Sequence, residues 1–151
     1  MSKYGAKPVW VAGNGETFSQ VADSKTFLKI EGNQWFPSKL EYRVYIAIIK
    51  FAHNHNLLLD LERQITIELV PATGDSKAIT WCVDFEATFT SVRCETFNLL
   101  IEAKGIQTSD YKLKKRLLQA LHPAQFSRLI VIYDADDVGV QLYSKIKDNH
   151  D

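Results

Sequence analysis

The chain has 151 residues, 46% of them apolar and 24% charged, with 18 basic against 18 acidic side chains. That balance describes a single globular domain with a proper core and excludes a disordered or low-complexity chain. A formal net charge of zero also excludes a polycation, so any polyanionic partner has to be met by a local patch. No apolar run is long enough to span a bilayer and no signal-peptide pattern is visible, so a cytoplasmic protein is expected, with no membrane partner. Cys82 and Cys94 have no metal-type spacing and read as reduced core or hairpin positions.

Residues 1–37 are the least regular part and read as a partly ordered basic arm, with the domain proper at 38–151. The arm opens with basic and turn-forming residues, Ser2 to Pro8. Gly13-Asn-Gly-Glu16 signals a turn, and Thr26-Phe-Leu-Lys-Ile30 reads as a short strand. Ser38 then caps a helix that runs to about Ala52, with Glu41 at the third helical position of a capping box. At 100° per residue Glu41 shares a side with Val44, Tyr45, Ile48 and Ala52. A carboxylate on the apolar side either caps the helix, points into a shared site, or does both. His53-Asn-His55 lacks a third ligand and reads as a polar loop.

Gln64 to Val70 alternates as a half-buried strand, and Pro71 to Asp75 is a turn. Ala78 to Phe85 is a second strand, with Ile79, Trp81, Val83 and Phe85 facing one way and Thr80, Cys82 and Asp84 the other. An unpaired carboxylate at Asp84, near the end of an apolar strand, is costly, so it is paired or holds a cation. Glu86 to Ser91 and Thr96 to Lys104 form a hairpin that returns Glu102 beside Asp84. Glu102 and Lys104 share a strand face while Ala103 turns away. The pair is either a surface ion pair or phosphodiester chemistry, in which a carboxylate holds a divalent cation and a lysine orients water.

A helix follows from about Asp110. Leu113, Leu117, Ala120 and Leu121 form its apolar side, and Lys112, Lys115, Arg116 and Gln119 a separate stripe. From Lys104 to Arg128 there are six basic residues against one acid, Asp110. A one-signed stripe beside a cation site matches phosphates. His122-Pro123 stops the helix, Arg128 to Tyr133 is an internal strand, and Asp134 to Gly139 caps a short last helix.

Taken in order, Ser38-Lys-Leu-Glu41, Asp84-Phe85, Glu102-Ala-Lys-Gly105, Ser109-Asp110, Lys114-Lys-Arg-Leu-Leu118, His122-Pro123 and Leu129-Ile-Val-Ile132 resemble the PD-(D/E)xK nuclease superfamily. Within it they are most similar to bacteriophage Holliday-junction resolvases of the endonuclease I type, and to small phage proteins that open with a segment like Lys3 to Lys7. The likeness covers roughly residues 38 to 133.

The resemblance implies an α/β (α+β) fold: a mixed central sheet flanked by helices, with a restriction-endonuclease-like core of helix, three strands, helix and strand. It implies that Glu41, Asp84, Glu102 and Lys104 are catalytic. Asp84 and Glu102 would hold Mg²⁺ or Mn²⁺, helped by the Ala103 carbonyl and Glu41. Lys39, Lys112, Lys115, Arg116 and Gln119 would meet DNA, branched or four-way. Symmetric cutting of a junction implies a homodimer. Val83 stands where the family has proline before the aspartate, and the hairpin between the acids is longer than in those resolvases.

Other readings compete. Ile132-Tyr-Asp-Ala-Asp-Asp-Val-Gly139 resembles the Asp-x-Asp end of a Toprim domain, but Glu102 lacks the glycine expected after it. A non-catalytic DNA-binding scaffold with a nuclease fold, or the cutting subunit of a transposition or packaging machine, would use the same elements.

Overall fold

The computed structural model describes residues 6–148. The start of the basic arm, Met1 to Gly5, and the last three residues lie outside the described residues, so the motif expected at Lys3 to Lys7 is seen only from Ala6.

The region expected as a partly ordered arm is built. Strands β1 (Val9–Val11), β2 (Thr17–Phe18) and β3 (Gln34–Phe36) form a small antiparallel sheet in the order β2-β1-β3. Helix α1 (Ser24–Lys29) replaces the strand expected at 26–30. The reason is local: the Asp23 carboxylate accepts bonds from the Lys25 and Thr26 amides and the Thr26 hydroxyl, closing a helix start that β propensity alone does not foresee. Val9, Val11 and Phe36 belong to the same buried cluster as the rest of the domain, so this sheet is anchored by apolar burial.

Helix α2 (Lys39–Asn54) starts where expected, with the Ser38 hydroxyl accepting from the Glu41 amide. Strands β4 (Leu58–Val70), β5 (Ile79–Thr90) and β6 (Thr96–Ala103) form an antiparallel meander. Helices α3 (Ser109–Leu121) and α4 (Pro123–Ser127) cross to β7 (Leu129–Ile132), which pairs parallel to β6. A short 3₁₀ turn at Ala135–Asp137 leads into α5 (Val138–Asp148). The fold is therefore α+β, with sheet order β4-β5-β6-β7 and the expected sequence of helix, three strands, helix and strand. Helices α2 and α5 cover one face, through Val44, Ile48, Val138 and Leu142; α3 and α4 cover the other, through Tyr111, Leu118 and Phe126.

Two expectations about facing are corrected. Trp81 and Val83 pack on the α3 side, but Phe85, Ala87 and Phe89 pack on the α2 side, although all five share a parity. The partner strand does the same: Leu59 and Leu61 serve the α2 side, Ile67 and Leu69 the α3 side. The changeover falls at Gln64, which is left-handed (φ 56°) and lies with Asp84 between the pairs Arg63–Phe85 and Ile65–Val83. One left-handed residue breaks the two-residue alternation that a flat strand obeys. On α3 the buried residues are Tyr111 and Leu118, not the expected stripe; Leu113, Ala120 and Leu121 are exposed and Leu117 is half-buried. The helix is rotated so that the Tyr111 ring meets Trp81 edge to face at 5.7 Å.

Candidate active site

The β5–β6 ladder ends at Phe85 and Ile101. Beyond that point side chains take the place of backbone pairing. Asp84 Oδ2 accepts from the Ala103 amide at 2.8 Å, and Glu102 Oε2 accepts from the Asp84 amide at 3.3 Å. The two strands thus part with a carboxylate inserted from each side. Both acids are buried, Asp84 9% and Glu102 4% exposed. Gln64, turned by its left-handed backbone, donates to Asp84 Oδ1 at 3.5 Å and accepts from the Cys82 thiol.

Lys104 leaves β6 two residues after Glu102 on the same side, as the strand period requires. Its Nζ lies 3.7 Å from Glu102 Oε1 and 4.7 Å from the centre of the Tyr111 ring. Glu41 comes from the first turn of α2 and is 9% exposed. Its Oε1 is 3.5 Å from the Ser38 hydroxyl, and its buried Oε2 has no hydrogen-bond partner. The cap uses the Glu41 backbone amide, so one carboxylate oxygen is left over.

Electrostatics set these acids apart from ordinary surface carboxylates. Burial, then the charge of Asp84, pushes Glu102 up to about 8. Burial and then Asp84 push Glu41 up to about 7. Burial raises Asp84 to about 6 against the opposing pull of the Ala103 amide and Lys104. Three acids that resist ionisation because they are buried near one another are stabilised by a positive charge between them.

Sequence reasoning missed Arg63. It follows Leu59 and Leu61 at the next alternate position of β4, where the apolar row would continue, and that break in the row is the signal that would have found it. Its guanidinium sits 3.7 Å from the Phe36 ring centre and donates to Gln34 and to the Trp35 carbonyl at 2.8 Å. Burial lowers its pKa, while the charges of Glu41 and Asp84 act the other way. Arg63 thus ties the N-terminal sheet to the acids. Gln64 and Tyr111 were also missed, because nothing in their local pattern marks them.

An open cleft of ≈ 880 Å³ separates the start of α2 from the start of α3; Lys7, Ser38, Lys39, Glu41, Lys104 and Asp110 line it. Asp84 and Glu102 do not line it, and Lys104 joins the cleft to them. Of the residues expected to meet DNA, Lys39 borders the cleft, Lys112, Arg116 and Gln119 are exposed, and Lys115 is half-buried. Lys114 pairs with Asp110 at 3.1 Å. The loop expected to cap the last helix caps the 3₁₀ turn before it, where Asp134 accepts from the Asp136 amide; Asp136 pairs with Arg43 at 3.6 Å.

Among the described residues no three His, Cys, Asp or Glu side chains form a ready group for a metal ion. The acids stand as a buried pair, Asp84 and Glu102, with Glu41 as a third whose charge interacts with both. The donor set still suits a hard divalent cation: it is all carboxylate and carbonyl oxygen, and it includes the orphaned Glu41 Oε2. No helix of the described residues is long and apolar enough to cross a membrane. Compared with known proteins, the chain matches no family model, no curated protein and no solved structure.

Proposed function

We propose that the chain is a metal-dependent DNA endonuclease that hydrolyses phosphodiester bonds in branched DNA, with resolution of Holliday junctions during phage recombination as its task. The observation that carries the reading is the meeting of Asp84, Glu102 and Lys104 where the β5–β6 ladder stops, with Glu41 near enough to feel the charges of Asp84 and Lys104 and one of its buried oxygens unpartnered. The sequence resemblance supplies the reaction class.

Asp84 and Glu102 would hold Mg²⁺ or Mn²⁺, with Glu41 and the Ala103 carbonyl completing the oxygen donors. When bound, the cation neutralises charge that builds on the scissile phosphate and favours hydroxide at neutral pH. The chain's own residues do the rest. Lys104, fixed against Glu102 and the Tyr111 ring, holds the attacking water in line with phosphorus. Water adds, the bridging P–O bond breaks, and the leaving oxygen takes a proton. Lys7 and Lys39 at the cleft, with Lys112, Lys115, Arg116 and Gln119 on α3, take the flanking phosphates, so recognition is by backbone shape rather than base edges. Two such sites in a homodimer would cut two strands of a junction in pairs.

The test is cleavage of labelled four-way junction and matched linear duplex, with Mg²⁺ and with EDTA, beside Lys104→Ala. Metal-dependent paired nicks on the junction, lost in the variant, are expected. Equal cutting of both DNAs would remove the junction preference. Binding without cutting, in Mg²⁺ and in Mn²⁺, would overturn the nuclease reading.

A further inference from the structure

The small N-terminal sheet has two unlike faces. Val9, Val11 and Phe36 point into the core. The opposite face carries one aromatic from each strand, because Trp10 is in register with Phe18 on β2 and with Trp35 on β3. The rings touch: Trp10 and Trp35 are 6.0 Å apart, and Phe27 of α1 packs edge-on to Trp10 at 5.8 Å and to Phe18 at 6.2 Å. Helix α1 does not finish covering the row. Trp35 and Phe18 each remain 39% exposed.

The two ends of this sheet also differ in charge. Val9 pairs with Phe36, so the chain entering β1 and the chain leaving β3 lie at the same end. Lys7 precedes β1 and Lys39 follows β3, and both line the cleft beside Glu41. Trp10 and Trp35 are the next pair along from that end. A half-exposed aromatic row therefore begins one residue pair in from the sheet end that leads to the two cations. The row is held in place relative to the acids, since Arg63 bonds the Trp35 carbonyl and stacks on Phe36.

We infer that this face is a stacking platform for unpaired bases of a DNA strand whose phosphates are held by Lys7 and Lys39. Proteins that hold single strands combine cations along the backbone with aromatic faces under the bases. Duplex DNA offers no free base face to such a row. The inference deepens the nuclease reading and rests on it for the identity of the polymer as DNA. It names the preferred substrate as DNA with single-stranded nucleotides beside the cut, such as an opened junction arm or a flap.

The experiment is run in EDTA, so that it reads binding and not cutting. An oligothymidine of about 12 nucleotides and a blunt duplex of equal length are titrated against wild type, Trp35→Ala and Trp35→Tyr. Unfolding temperatures and circular dichroism check each fold, and sedimentation checks each assembly state. The expected result is that Trp35→Ala binds the single strand about tenfold more weakly, that Trp35→Tyr recovers most of the loss, and that duplex affinity is unchanged. Equal loss on both DNAs, or no loss on the single strand, would overturn the platform. So would a change from dimer to monomer in Trp35→Ala, which would make the face a contact between copies of the chain. Single-strand binding through Trp35 without any cleavage in Mg²⁺ or Mn²⁺ would leave the platform standing and remove the nuclease. Cleavage that ignores Trp35 would do the reverse.

Discussion

The Asp84 amide donates to the Glu102 carboxylate at 3.3 Å, on a strand pair whose backbone ladder has already ended one residue earlier. The Asp84 carboxylate in turn accepts from the amide of the next residue along, Ala103, at 2.8 Å. These two acids are thus both staples and candidate ligands. Their burial is the source of the chain's most testable properties.

Stability without a cation depends on pH in a definite direction. Glu102, Glu41 and Asp84 have folded pKa values raised to about 8, 7 and 6 from ordinary carboxylate values. The folded state therefore holds protons that the unfolded state has released. The stability this contributes is fully present below pH about 4, where both states are protonated, and is lost as pH rises through 6, 7 and 8. Thermal unfolding in EDTA should show a falling midpoint from pH 5 to pH 8.5, by on the order of 5 °C or more. Glu102→Gln, which removes the largest of the three shifts, should flatten that fall. A midpoint that rises over the same range in wild type would contradict the burial account.

Divalent cations should reverse the loss. Mg²⁺, Mn²⁺ or Ca²⁺ should raise the unfolding midpoint, more at pH 8 than at pH 5.5, because protons compete for the same oxygens. Asp84→Asn keeps an acceptor for the Ala103 amide but weakens the cation site, so its fold should persist while the shift disappears. If calorimetry finds no cation binding to wild type at pH 8, the assigned ligands are wrong.

Lys104→Ala should separate chemistry from binding. The amine touches Glu102 and the Tyr111 ring at the edge of the cleft, so its loss should lower cleavage by at least about 100-fold while changing DNA affinity only a few-fold. Removal of one ammonium also leaves Glu102 without its nearest cation, which should push that acid further up. Tyr111→Phe keeps the ring and should cleave nearly as well as wild type. A Lys104→Ala protein that cuts normally would shift the role to another group.

Arg63 should matter to the fold more than its position on β4 suggests. Its guanidinium bonds Gln34 and the Trp35 carbonyl and lies on Phe36. Arg63→Met should cost about 1–3 kcal/mol in denaturant unfolding. Lys should not restore it, because an ammonium lacks the planar fork that reaches both partners. Limited proteolysis should then cut first within residues 9–36. Uncut material under those conditions would mean that apolar burial of Val9, Val11 and Phe36 holds the small sheet without Arg63.

On α3, Lys112 and Arg116 are exposed on one stripe. Changing each to Ala should weaken binding to all DNA sequences alike and lower the slope of log affinity against log salt by about one per phosphate contact. A sequence-dependent loss would point to base readout instead.

Much of this was open to reading along the chain. The α2 start follows from Ser38 and Glu41 three residues apart, the β6 end from Glu102-Ala-Lys104, and the crossover to β7 from His122-Pro123 and the apolar run after Arg128. These are local signals: a cap, a two-residue period and a helix breaker act over a few bonds, so neighbours in sequence carry them. The return of Glu102 beside Asp84 was legible from the hairpin that joins their strands, and the inward side of Glu41 from its phase on α2. Tertiary structure alone decided the rest. Gln64 takes a left-handed backbone opposite Asp84 and exchanges the faces of two strands, which no alternation pattern can announce. Helix α3 turns Tyr111 and Leu118 inward because Trp81 waits there, leaving Leu113 and Leu121 in solvent. The N-terminal sheet is ordered by burial on a core formed dozens of residues later and by Arg63. Local composition could not report those contacts, because the partners that supply the energy are distant in sequence and near only once the chain has folded.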